Sequence, residues 1–275
     1  MKKILALVLA LAMVLSFAAC GGKTENTGTN DEKTSGGNYS DLMTIDGLDL
    51  AVEEYGIGFR SGSDVVDEVN KIMKELYNDG TLKTIAEKYD LADNLLEPKD
   101  VPSKASGESD LDYIKKNGKM IIGYTVYDPM NYTNDKGEFV GFDTEFAEAV
   151  CAKMGVTPEF VEINWDTKEI ELNAKSIDCI WNGFTISDER EENIDFSAPY
   201  ILNKQVVVIR KADKDKYTDT ASLSNAKLAA ETSSAGEGAI NDDENLSKAN
   251  YTAVPKQTDA LLEVKASTVD AAVLD

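Results

Sequence analysis

The residues best placed to do chemistry lie between Ser176 and Tyr200. Cys179-Ile180-Trp181 is a short apolar run of the kind a buried strand makes. Asn182-Gly183 is expected to break that strand, because glycine turns freely through positive φ. Ser187 suits an N-cap, and Asp188 and Glu189 suit the positive end of the brief helix that carries Arg190. Free amides at a turn, with a guanidinium one helical turn on, suit a small carboxylate bound bidentately. The same residues also suit a plain surface turn in which Arg190 pairs with Glu191 or Glu192.

Composition narrows the chemistry. The chain has 275 residues, 28 basic against 50 acidic, no histidine and a net charge of −22. This argues against nucleic acid or an anionic membrane surface as partner, and it removes histidine-based acid/base chemistry and histidine metal sites. No cofactor is called for. The length holds one large or two moderate domains.

Met1-Lys2-Lys3 followed by an apolar run from Ile4 to Ala19 fits a secretory signal better than a membrane span. Phe17-Ala18-Ala19-Cys20 resembles a lipobox, which implies cleavage before Cys20 and its acylation. Residues 21–38 read as a flexible tether. Cys151 and Cys179 are too few for a disulfide framework and read as buried thiols, with one bridge between them left open.

The elements that must position the site alternate strand and helix, which gives α/β. Val52–Phe59 reads as a strand, and Ser63 as the cap of a helix carrying Val66, Val69, Met73 and Leu76 on one face. Residues 97–109 are a linker by composition. A short helix from Asp110 ends at Gly118, and Met120–Tyr124 is a strand. Asp143 is expected to cap the next helix. The run Val206–Ile209 reads as a strand buried on both faces of a parallel sheet. Thr232–Glu237 opens another helix, a second place where amides and hydroxyls suit a carboxylate, with a plain N-cap as the alternative.

The register of Asp178, Gly183, Thr185, Ile186, Arg190, Asp195, Phe196, Ser197, Pro199 and Tyr200 resembles the signature of the polar amino-acid-binding proteins that feed ATP-driven importers. Ser187 stands where threonine is usual. Gly137-Glu138-Phe139-Val140-Gly141-Phe142-Asp143 resembles that family's early motif. Tyr55-Gly56-Ile57-Gly58-Phe59-Arg60 with Asp79-Gly80-Thr81-Leu82 resembles its carboxy-terminal end, here placed first.

The resemblance implies a type 2 periplasmic-binding-protein-like fold in circularly permuted order. Each of two lobes would be a mostly parallel sheet flanked by helices, and two crossover strands would join them. The order would be a signal peptide over 1–20, tether 21–38, part of lobe two 39–53, the carboxy-terminal part of lobe one 54–96 and linker 97–109. The amino-terminal part of lobe one would follow over 110–201 and the main part of lobe two over 202–275. No counterpart appears for the helix that normally follows the strand ending in Asp275.

The resemblance further implies that Arg190 and the Thr185 amide take a ligand's carboxylate while Asp275 and the Gly183 carbonyl take its ammonium. Ser234 and Ala235 would add donors, Tyr127 would stack on the ligand, and Trp181 and Phe184 would line the walls. Ser233 stands where the family carries glycine. The protein is then expected to be a monomeric lipoprotein on the outer face of the cell membrane. It would not be an enzyme, but would capture a polar amino acid for an ABC permease. A sensor module, a dehydratase-like enzyme and an incomplete binding protein are the alternatives.

Overall fold

The computed structural model describes residues 39–275, which fall in one compact unit. The expectations for the signal peptide, the tether and Cys20 lie outside the described residues. The described residues open with a 19-residue strand, β1 (Leu42–Arg60), then α1 (Val65–Asn78) and α2 (Thr81–Lys88). Next come α3 (Asp110–Asn117), β2 (Lys119–Tyr124), the small pair β3 (Tyr132–Thr133) and β4 (Phe139–Val140), α4 (Phe142–Met154) and β5 (Thr157–Glu162). The central stretch is α5 (Lys168–Asn173), β6 (Cys179–Thr185), α6 (Asp188–Glu191), β7 (Ile194–Phe196) and β8 (Ile201–Arg210). The last third is β9 (Lys227–Glu231), α7 (Ala235–Asp242), β10 (Asn250–Val254), α8 (Gln257–Lys265) and β11 (Ala271–Leu274).

One sheet runs through the molecule in the order β10-β9-β11-β8-β1-β6-β2-β5. Within each end the strands are parallel: β9 with β10 and β11, and β2 with β5 and β6. The two ends meet in the antiparallel ribbon of β1 and β8, paired from Leu42–Arg210 to Tyr55–Ile201. Helices cover both faces, so each end has its own core. On β1, Tyr55, Ile57 and Phe59 point into the first core with α1, α2 and α4. Gly56 and Gly58 face the other way. A Cβ at Gly58 would come 2.7 Å from Phe184, and one at Gly56 would come 2.9 Å from Ile186. Glycine there lets a second apolar layer, with Phe184, Ile194 and Phe196, lie directly on the strand.

Local signals were sound where the cause was local. Gly118 ends α3 at φ +70, and Ser109, Ser187 and Ser234 cap α3, α6 and α7 by accepting main-chain N–H groups. Four expectations are corrected. β6 is not broken at Asn182-Gly183. It continues to Thr185 with Gly183 at φ +56, held by its bond to Asp143. Asp143 does not cap α4, whose N-cap is Gly141; its carboxylate is spent on the Gly183 amide. The residue before α1 is Asp64, and Ser63 is buried one position earlier. The Val206–Ile209 run is buried, but β8 is antiparallel to both its neighbours, β1 and β11. A strand covered on both faces reads alike in either orientation. Cys151 and Cys179 are buried free thiols.

Candidate ligand cleft

Where β6 ends, Ser187 starts α6, and its short turn sends Arg190 back over the strand it has just left. The guanidinium lies over the Phe184 ring, 4.7 Å from its centroid. Its Nη1 donates to the Thr185 carbonyl at 2.7 Å, and its Nη2 reaches the Ser233 carbonyl at 3.4 Å, on the far side of the cleft. Burial lowers its pKa, while the charges of Asp275 and Glu53 raise it. Arg190 forms no ion pair with any described residue, and a guanidinium with donors to spare is left facing the cleft.

The opposite charge arrives from the other end of the sheet. Asp275 follows β11, which the pairing of Leu274 with Val206 sets beside β8. Its Oδ1 accepts from Tyr55 (2.8 Å), Asn203 (2.8 Å) and Gln205 (2.5 Å), and its Oδ2 accepts from Gln257 (2.6 Å). All four donors are neutral. Burial pushes the carboxyl well above its ordinary range, and the neighbouring Glu53 pushes the same way.

A small cavity of about 10 Å³ brings Arg190, Thr185, Gly183, Ser234, Ala235 and Asp275 together. It adjoins a larger cleft of about 1010 Å³ that also touches Thr185, Arg190, Ser234 and Ala235. Only a water-sized body fits the small cavity as it stands. Two contacts to Ser233 close it besides that of Arg190. Lys168 Nζ donates to the Ser233 carbonyl at 3.1 Å, and Ser233 Oγ to Asp166 at 2.7 Å. Ser233 takes φ +58, so the departure from glycine keeps a left-handed turn. Tyr127 stands behind the cavity, its hydroxyl 3.1 Å from that of Tyr55.

Three of the residues named from the sequence line neither the small cavity nor the larger cleft: Trp181, Phe184 and Tyr127, whose hydroxyl meets that of Tyr55 instead. Trp181 is fully buried, edge-on to Phe146 in the first core. Phe184 is buried too and meets the cleft only through the Arg190 guanidinium above it. At Thr185 it is the carbonyl that meets Arg190, and the Gly183 amide is occupied by Asp143.

The structure also brings in residues the sequence did not suggest. Glu53, Asn203, Gln205 and Gln257 surround Asp275. Trp165 and Glu231 line the small cavity. Glu231 is buried with Oε1 unpartnered among the described residues, and burial raises its pKa to about 8 against the opposing pull of Lys168. Burial likewise brings Lys168 down to about 8. The position of Glu231 at a strand end directly before Thr232-Ser233-Ser234 was the available signal.

Solved structures of similar architecture fix the class. The crystal structure of AncCDT-1, an ancestral amino acid-binding protein and precursor of cyclohexadienyl dehydratase, is 32% identical with a TM-score of 0.58, over 61% of this chain and 74% of that one. The arginine-bound truncated ArgBP from T. maritima is 30% identical with a TM-score of 0.56, over 60% and 76%. The fold is that of the type 2 periplasmic binding proteins.

A profile of the bacterial extracellular solute-binding proteins, family 3, matches residues 120–273, and the chain belongs to that family. Among curated relatives, the L-cystine-binding protein TcyJ of Escherichia coli (strain K12) is 30% identical over 119 residues, which are 43% of this chain and 45% of that protein. The chain thus spans about half the length of such relatives. They are named as binding proteins. Among the described residues no helix is long and apolar enough to cross a membrane.

Proposed function

We propose that this chain is an extracytoplasmic, lipid-anchored binding protein that captures a polar amino acid between its lobes and hands it to an ABC importer. One observation carries the reading. Arg190 and Asp275 line the same cavity, and neither is neutralised by an ion pair with a described residue. A zwitterion supplies both missing charges, and buried charges require such pairing. Arg190 takes the carboxylate with help from the amide end of α7 at Ser234 and Ala235, and Asp275 takes the ammonium. Tyr127 braces Tyr55, which in turn holds Asp275. The relatives named for cystine and arginine support the ligand class.

The order of blocks is part of the proposal. Residues 54–96 would be the family's carboxy-terminal piece of lobe one set before its amino-terminal piece, 110–201. Residues 39–53 would join 202–275 as lobe two. The pairing of β1 with both β6 and β8 supports this, as does a family match confined to residues 120–273. Cys20 would be the acylated residue, with residues 21–38 as tether.

A thermal melt of the protein against each of the twenty amino acids tests the reading. One or a few polar amino acids should raise the midpoint, by about 2.7 kcal/mol of stabilisation at a hundredfold excess over Kd. A cooperative melt that no amino acid shifts would sink it. Glu231 favours a second reading, a dehydratase-like enzyme, because a buried acid that stays protonated near neutrality can serve as general acid. Incubation with prephenate or arogenate, and a search for the dehydrated product, separates the two.

A further inference from the structure

Glu53 belongs to none of the motifs above, yet it stands beside the one carboxylate expected to hold an ammonium. Strand pairing puts it there: Glu53 lies directly opposite Asn203 on the β1–β8 ribbon. Its Oε1 accepts from Asn203 Nδ2 at 2.8 Å and from Gln205 Nε2 at 2.8 Å. The same two amides donate to Asp275 Oδ1. Two acids 222 positions apart in sequence therefore share one pair of clamps. Glu53 opens onto the larger cleft and Asp275 onto the small cavity, so together they span the boundary between the two.

Two carboxylates in contact do not both ionise unless a cation lies with them; otherwise they keep one proton between them. The groups facing the pair are the Tyr55 hydroxyl and, behind it, that of Tyr127. The amides of Asn203, Gln205 and Gln257 complete the neutral set, and Arg190 is the nearby positive charge. Arg190 makes no hydrogen bond to either acid among the described residues; its bonds go to the Thr185 and Ser233 carbonyls. No ammonium from a described side chain fills the place.

From this geometry we propose that Glu53 completes the ammonium subsite, and that it and Asp275 share a proton which a ligand's ammonium group expels. The step is a simple exchange. The carboxylic O–H proton leaves to solvent, and N–H donors of a primary ammonium take its place between two carboxylates. The subsite thereby selects primary ammonium over a hydroxyl or an amide at the same position, since neither of those brings the charge that both acids need. The inference rests on the amino-acid reading for its ligand, but the shared proton is a property of the protein alone.

Two measurements on the full chain test it. Carbon-13 NMR of the side-chain carboxyls in an Asp143→Asn background, which removes the other raised aspartate, should show an aspartate midpoint far above the ordinary range without ligand, and Glu53→Gln should lower it towards the value that burial alone gives. If no aspartate in that background titrates above the ordinary range, or if Glu53→Gln leaves the raised midpoint unmoved, the proposal is overturned whether or not any amino acid binds. Calorimetry with whichever of the twenty amino acids shifts the melt, run in buffers of different ionisation enthalpy, should count close to one proton released per ligand. Affinity should rise about tenfold per pH unit below the pair's midpoint. Binding without proton release overturns the proposal while leaving the proposed function intact. If no amino acid binds, the proposed function fails and the NMR titration alone decides. If Glu53→Gln does not fold, the wild-type proton count decides instead.

Discussion

The amide nitrogen of Gly183 lies 2.6 Å from Asp143 Oδ2, so a carboxyl from the first turn of α4 holds the one residue of β6 whose backbone is left-handed. Burial raises the Asp143 pKa to about 7, against the pull of the Gly183 amide, Tyr200 and Trp181. The native state therefore binds a proton that the unfolded chain gives up near the ordinary carboxyl value. That contribution to stability is complete below about pH 4 and lost as pH rises to about 7. It is worth at most roughly 4 kcal/mol across that window. Asp143→Asn keeps an acceptor for Gly183 and removes the titration. Its melting temperature should fall less between pH 5 and pH 8 than that of the wild type. Parallel curves for the two proteins would refute the assignment.

Replacing Gly183 tests the same corner from the other side. At φ +56 an L side chain is strained, and a Cβ there would come 2.9 Å from both Tyr127 and Tyr55. Tyr55 is one of the donors to Asp275, so Gly183→Ala should cost stability and also loosen the proposed ammonium site. The expected loss of stability is about 1–3 kcal/mol, read from urea midpoints. The loss of amino-acid affinity should accompany it.

On the proposed reading Arg190→Ala should abolish measurable binding, because it leaves a ligand's buried carboxylate without its cation, a loss of about 3–5 kcal/mol. Arg190→Lys keeps the charge but not the fork that spans the Thr185 and Ser233 carbonyls. It should bind measurably but weakly. Equal affinity of the lysine variant and the wild type, measured by calorimetry, would show that charge alone is used.

Arg60 is a structural counterpart. Its Nε meets Asp110 at 3.0 Å, its Nη1 donates to the carbonyls of Leu172 and Ile177, and its Nη2 lies 3.6 Å from Asp178. It thus pins the end of β1 to the blocks that follow the 97–109 segment. Arg60→Met leaves the buried Asp178 without its cation and Asp110 with Lys175 alone, and should destabilise by about 3–5 kcal/mol. A chemical denaturation midpoint unchanged from the wild type would contradict this.

What could be read from the sequence divides along sequence distance. The caps at Ser187 and Ser234, the stop at Gly118 and the place of Arg190 depend on neighbours a few residues away, and they could be read directly. Trp181 could not be placed, because β6 is covered on both faces. Its alternate residues enter different cores, Cys179 and Trp181 one, Ile180 and Phe184 the other. An apolar run without alternation does not say which side meets the cleft. Glu53 was out of reach for a different reason. Its partners Asn203, Gln205 and Asp275 come to it only through the register of β1 on β8 and of β8 on β11. No local pattern encodes that register.

The position of β1 between β8 and β6 also has a cost during synthesis. Both partners lie about 120 residues or more further along the chain. At roughly 5–20 residues per second, the strand waits on the order of ten seconds with both edges open. Asp46, Asp49, Glu53 and Glu54 fall within it, and charges on an open edge discourage strand-to-strand association between nascent chains. The acidity of β1 is therefore expected to keep unfinished chains apart, with Glu53 contributing before any partner strand has been made.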